Sequence, residues 1–204
     1  MKEDILEQLA DDYLQAQGYF TRHNIKYRPD ARRKDFIAKK DSVPSDIDVL
    51  GFNPTKRGYD KVIVVSCKSW QDGFNIDEKI EQLTNKEDPV WKRFRELTMT
   101  KWSQAFCNKV HELTGTHKFT YATVVTLLKG QGKPITWEQH KPFKKALNDN
   151  KIKILTLNHI IKKLSENKAK TPAGSDIGRL LQLMRASGYI GACCPEITSP
   201  DIDQ

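Results

Sequence analysis

The sequence predicts an α/β fold, a central mixed sheet flanked by helices. Three observations carry this. The β-branched run Val62-Ile63-Val64-Val65 follows the alternating segment Ser45–Phe52 after a short link of turn formers, Asn53 to Gly58, so the two segments read as a hairpin. A helical-period segment precedes the first strand. Two later strand-like segments, 119–128 and 151–157, are separated by a segment of helical character.

In order along the chain, residues 3–17 place Ile5, Leu6, Leu9, Tyr13 and Leu14 at helical spacing, with Gly18 as a C-terminal stop. Residues 19–27 form a first strand around Phe20, Ile25 and Tyr27. Residues 28–40 are basic and irregular, with Pro29 and the cluster Arg32-Arg33-Lys34; they either flank a substrate backbone or form a solvated loop. After the hairpin and the turn Asp72–Asn75, a short helix spans 77–85. A longer one follows Pro89 to about residue 114, with Trp91, Phe94, Leu97, Trp102, Phe106, Val110 and Leu113 as its apolar stripe; both tryptophans read as core. The strand 119–128 ends in a Gly-rich link, 129–134, which lacks the GxxxxGK[ST] pattern of a P-loop. A helix spans 137–147 with Thr136 as its N-cap and Asn148-Asp149-Asn150 as its stop; a strand spans 151–157; Asn158 caps a basic helix carrying Lys162 and Lys163. The organisation is a main domain, 1–168, and a C-terminal appendage, 169–204, whose helix 175–187 starts at Ser175 and ends at Gly188. That helix either packs back on the domain or binds a partner, a second copy or another protein.

The chain has 204 residues, a net charge of +8 and a pI near 9.2, a balance that favours an anionic partner, nucleic acid above all. No apolar run approaches the roughly 20 residues of a membrane span, and the start, Met1 to Glu7, has no apolar signal core. The expectation is a cytoplasmic protein with no membrane partner. Cys67, Cys107, Cys193 and Cys194 form no CxxC pair and have no zinc-finger histidines, so they read as free thiols.

Strand periodicity then makes a chemical prediction. Residues two apart share a face, so Asp46 and Asp48 point one way and Ile47 and Val49 the other. On the second strand Ser66 and Lys68 share a face opposite Val65 and Cys67. If the faces match across the hairpin, two carboxylates stand beside a lysine and a hydroxyl, a set suited to metal-assisted hydrolysis. Glu7 and Asp11, four apart, share one side of the first helix.

Asp48 in one strand and Lys68 ending the next resemble the PD-(D/E)XK nuclease superfamily, with the restriction-endonuclease-like αβββαβ core. The segment order, with an extra helix inserted before the fourth strand, is consistent with that core over residues 1–165. Ser66 departs from the pattern, standing where the second acid belongs. The first helix, with Glu7 eleven residues before Gly18, resembles the Mrr-like and resolvase-like branches, in which a helical Glu reaches the active site; Glu3 is the other candidate. The resemblance implies a metal-dependent endonuclease, with DNA favoured as substrate. Glu7, Asp48 and the Cys67 carbonyl would hold Mg²⁺ or Mn²⁺, with Asp46 in an outer position. Lys68 would orient or activate water, with Ser66 beside it and Gln71 near substrate or water. Arg32, Arg33, Lys34, Lys144, Lys145, Lys162 and Lys163 would meet the phosphate backbone. The alternative is a nucleic-acid-binding module that keeps the fold and has lost catalysis.

Overall fold

The computed structural model describes residues 4–85, 90–166 and 175–189, except the side chains of residues 90 and 91. Glu3, Cys193 and Cys194, the side chain of Trp91 and the last residues of the tail lie outside them.

Helix α1 (Ile5–Ala16) leads into β1 (Phe20–Tyr27), a short helix α2 (Ala38–Asp41), β2 (Ser45–Phe52) and β3 (Val62–Lys68). A two-residue strand β4 (Phe74–Asn75) opens onto α3 (Ile76–Thr84), then α4 (Arg95–Thr98) and α5 (Thr100–Thr114). The chain continues through β5 (Thr120–Val125), β6 (Leu128–Lys129), α6 (Pro134–Glu138), α7 (Lys141–Ala146), β7 (Lys151–Thr156), α8 (Leu157–Glu166) and α9 (Asp176–Ala186). The main sheet has five strands in the order β1-β2-β3-β5-β7. β1, β2 and β3 are antiparallel neighbours, and β3, β5 and β7 run parallel.

Each face of this sheet buries its own core. On one side Leu6, Leu9, Ala10 and Leu14 of α1 pack with Val49, Val65, Val124 and Ile160 of α8. On the other, Val62, Val64 and Tyr121 pack with Phe94, Trp102, Phe106, Trp137 and Phe143 from the helices between β3 and β7. Alternation explains the division on β3, where Val65 faces α1 and Val64 faces the aromatic layer.

Several boundaries differ from the sequence expectation. The helix expected from Pro89 to residue 114 is a 3₁₀ turn, Val90–Phe94, then α4 and α5, divided at Met99, whose backbone is extended (φ −126°, ψ 114°). The helix expected over 137–147 is two helices. Pro142 has no amide proton to continue the first, and Pro134 opens α6 with Lys133, not Thr136, as N-cap. Asn158 lies inside α8 and does not cap it. The strand expected to run to Leu128 stops at Val125; Leu128–Lys129 leave the main sheet and pair with β4. The irregular stretch 28–40 contains the start of α2. Its Asp41 is almost fully buried and takes a 2.5 Å ion pair from Lys101 of α5, which ties that stretch to the helical layer.

α9 packs back on the domain, touching α1 and α8 through Ile177 and Leu181. Ser175 is its N-cap, accepting the Gly178 amide at 2.9 Å, and its hydroxyl also donates to Asp12 of α1. Among the described residues no helix is long and apolar enough to cross a membrane.

Candidate active site

The sheet opens at Asp48. The β2–β3 ladder runs from Phe52↔Val62 to Val49↔Val65 and stops, so Asp48 and Ser66, next in register, are not paired. On the other side of β2 the residue opposite Asp48 is Asn24, in the left-handed region at φ 52° and outside the ladder that flanks it at His23↔Val49 and Ile25↔Ile47. Alternation breaks at this point: Val49 belongs to the α1 core, and Ile47, two residues away, to the aromatic core. Ile47 and Val49 therefore do not share a face. The cause is the turned backbone at Asn24, which interrupts the pleat across both strands.

Asp48 bridges the gap that results. Its Oδ2 accepts the Cys67 amide at 2.6 Å, in place of a ladder hydrogen bond. Burial pushes its carboxyl up from the ordinary value, and Glu96 and Asp46 add to this; the Lys68 ammonium and the Cys67 amide oppose it. Ser66 and Lys68 share a face, and Lys68 Nζ donates to Ser66 Oγ at 2.7 Å. The ammonium also sits 5.0 Å from the centroid of the buried Phe94 ring, a cation–π contact that fixes its direction.

Glu7 comes to this cluster from the α1 side. Asp4 is the N-cap of α1, accepting the Leu6 amide at 2.8 Å, and its other oxygen accepts from Ser69 Oγ at 2.6 Å. The start of the helix is thereby fastened to the end of β3. Burial, then the carboxylates of Asp48 and Asp4, push Glu7 up to about 7; His23 pulls the other way. His23 itself pairs with Asp11 at 3.2 Å. Burial, Asp48 and Glu7 also push the Cys67 thiol well above its ordinary value, so it is a protonated neighbour and not a nucleophile.

Asp46 adds its charge to the neighbourhood of Asp48 and Glu7 and is itself engaged from β1. Its Oδ2 accepts from Lys26 at 2.5 Å, directly across the β1–β2 ladder, while its Oδ1 is buried without a hydrogen-bond partner. Gln71 is exposed in the turn after β3.

Glu96, on α4, was not singled out by its sequence. It is 4% exposed. Its Oε1 accepts the Tyr121 hydroxyl at 2.5 Å and its Oε2 the Tyr27 hydroxyl at 3.3 Å. It supplies a negative charge behind Asp48 on the Ser66 side of the sheet. Its one sequence signal is an acid set between the core residues Phe94 and Leu97. Asp4 had a clearer signal, an N-cap residue three before Glu7.

The donors suit a hard divalent cation in kind. Glu7 and Asp48 are carboxylates, the charge of Asp48 raising the proton affinity of Glu7, and Asp46 Oδ1 lacks a partner. Among the described residues, however, no three His, Cys, Asp or Glu side chains are grouped so as to hold a metal.

The expected phosphate-binding residues are divided. Arg32 is paired with Asp30, and Arg33 with Asp35 and Gln104, so acids of the same loop already neutralise both. Lys163 is paired with Glu166, and Lys144 touches Gln139; Lys34, Lys145 and Lys162 are exposed. A groove of about 690 Å³ runs between the end of β1 and α5, lined by Lys26, Arg28, Arg33, Gln104, Asn108 and Lys109. One of its lining residues, Lys26, is the partner of Asp46, and Glu112, the partner of Lys109, lines it too.

No family model, no curated protein and no solved structure matches the chain.

Proposed function

We propose that the protein is a metal-dependent nuclease of the restriction-endonuclease-like kind, hydrolysing phosphodiester bonds, with DNA as the favoured substrate. One observation carries this reading. The sheet parts at Asp48, whose carboxylate bonds the Cys67 amide beside the Ser66-held Lys68, and the charge of Asp48 is felt by Glu7 on α1. The order of the sheet, an antiparallel trio followed by parallel strands with α1 against one face, supports the αβββαβ core.

Glu7, Asp48 and the Cys67 carbonyl would hold Mg²⁺ or Mn²⁺, and Asp46 Oδ1 would accept from a water of its outer shell. The ion would polarise the phosphate and lower the pKa of its water. Lys68, held by Ser66 and Phe94, presents a positive charge with little freedom to turn away; it stabilises the charge that builds on the phosphate oxygens as the new P–O bond forms. Ser66 takes the place of the second acid and serves to aim Lys68. Arg28, together with Lys26 and Lys109 in exchange for their pairs with Asp46 and Glu112, would follow the backbone of the substrate along the groove beside α5.

A specific observation favours a second reading, a binding module without catalysis. Ser66 brings no charge, and its hydroxyl is already engaged by Lys68. A plasmid-nicking assay with Mg²⁺, with Mn²⁺ and with neither separates the two. Metal-dependent nicking supports the nuclease; salt-sensitive DNA binding without nicking supports the module.

A further inference from the structure

The α1–α8 side of the sheet holds a second site. A cavity of about 410 Å³ lies between α1 and the strands, toward the start of β3 and β5, and neither Glu7, Asp48, Ser66 nor Lys68 lines it. Its existence follows from two short side chains. Ala10 of α1 and Ala122 of β5 both line it, in a layer whose other buried members are Leu, Ile, Val and Tyr19. Where the methyls stand, helix and sheet do not fill the space between them.

The rim is basic. In register, Ala122 has Val65 on one side and Lys153 of β7 on the other. Ile152 and Ile154 point into the aromatic core, so alternation turns Lys153 toward the cavity, beside Leu155. The same row of β7 starts at Lys151, so its face toward α1 is basic before it becomes apolar at Leu155. Lys56 is held in place: its Nζ donates to the hydroxyl of the buried Tyr19 at 3.1 Å and lies 4.3 Å from that ring's centroid. Tyr19 in turn donates to the Asp60 carbonyl at 2.7 Å. Arg57 is the third cation. The carboxylate at the rim, Asp60, is engaged by Lys151 at 3.6 Å. Among the described residues neither Arg57 nor Lys153 has a carboxylate partner. Three positive groups around an apolar floor call for an anion with more than one charge and an apolar part.

We propose that this cavity binds a small phosphomonoester with an apolar or aromatic body, its phosphate among Lys56, Arg57 and Lys153 and its body over Ala10 and Ala122. A phosphomonoester carries about −1.5 to −2 charges at neutral pH, matching the rim better than a carboxylate. The volume is at the small end of those that take such ligands, of order 300 to 1,000 Å³. The site is independent of the nuclease reading and stands or falls without it.

Calorimetric titration of the full chain tests it, with octyl phosphate and adenosine monophosphate as probes and octanol, adenosine and inorganic phosphate as controls. One of the two probes binds more tightly than about 1 mM and about tenfold or more above its uncharged parent and above inorganic phosphate. Which of them binds decides between an aliphatic and an aromatic body. Lys153→Gln weakens that binding about tenfold or more while the melting temperature holds, since a charged hydrogen bond is lost. Ala122→Leu fills the floor and removes it. The absence of binding by both probes overturns the proposal. So does inorganic phosphate binding as tightly as either probe, or Lys153→Gln leaving the affinity unchanged.

Discussion

Asp48 Oδ2 accepts the Cys67 amide at 2.6 Å across the point where β2 and β3 part. The same carboxylate thus closes the sheet and presents a charge at its opening, and two substitutions separate these roles. Asp48→Asn keeps an acceptor for the amide and loses the charge. Asp48→Ala loses both, leaving a half-buried amide without a partner, at a cost of about 1–3 kcal/mol. Urea denaturation should therefore rank Asp48→Asn well above Asp48→Ala. Equal stabilities would show that the Cys67 bond carries nothing.

Glu7 links stability to pH. Its folded pKa of about 7 lies above the ordinary 4.5. Between those values the folded state keeps a proton that the unfolded state releases, so stability falls as pH rises through this window and the cost is complete above about 7. Because the group is only partly buried, the cost after solvent screening is about 1 kcal/mol. Melting curves from pH 5 to 8.5 should show the decline in the wild type and a flatter profile in Glu7→Gln. Mg²⁺ should raise the melting temperature more at pH 8 than at pH 6, because a cation at this cluster favours ionised Glu7. A wild-type profile unchanged by Glu7→Gln would remove Glu7 from the cluster.

Glu96 should act on Asp48 through charge. Glu96→Gln keeps the shape but offers one acceptor where two phenols, Tyr27 and Tyr121, now donate. A loss of about 1–2 kcal/mol is expected from the phenol left unmatched. Removal of the negative charge should also bring Asp48 down toward its ordinary pKa and move the acid limb of any pH–activity profile to lower pH. An unmoved limb would show that Glu96 serves the fold alone.

The ion pair of Asp41 and Lys101 fixes the loop that borders the groove. Burial alone would raise the Asp41 carboxyl; Lys101, the Ile37 amide and the Trp102 indole together hold it below its ordinary value. Its contribution is therefore present above the unfolded pKa near 3.8 and is lost only as pH falls through the lower folded value. Asp41→Asn leaves Lys101 buried and uncompensated and should cost about 3–5 kcal/mol by urea denaturation, while Asp41→Asn with Lys101→Met costs clearly less. Equal losses in the two variants would contradict this.

The strands and α1 were legible because their patterns are local. The β-branched run of β3 and the stripe from Leu6 to Leu14 need no partner to be read. The placing of Ser66 and Lys68 on one face followed from the same alternation. The matching statement that Ile47 and Val49 share a face failed because Asn24, on a different strand, turns the backbone and interrupts the pleat. A lone asparagine in a polar strand announces no such turn. The breaks at Met99 and between α6 and α7 were also hidden, although Pro142 marked the second. Glu96 was invisible for another reason: an acid next to apolar residues on a helix reads as solvent-facing until the tyrosines that bind it, distant in sequence, are brought to it.

If Asp48 anchors a metal-dependent phosphodiesterase site, its role can be read from supercoiled-plasmid nicking by the wild type and Asp48→Asn in Mg²⁺, in Mn²⁺ and in chelator. The wild type should nick with metal and not with chelator, and Asp48→Asn should be at least about 100-fold slower, the loss expected when a charge aimed at the reacting centre is removed. Undiminished metal-dependent nicking by Asp48→Asn, or no nicking by the wild type with either metal, would contradict it.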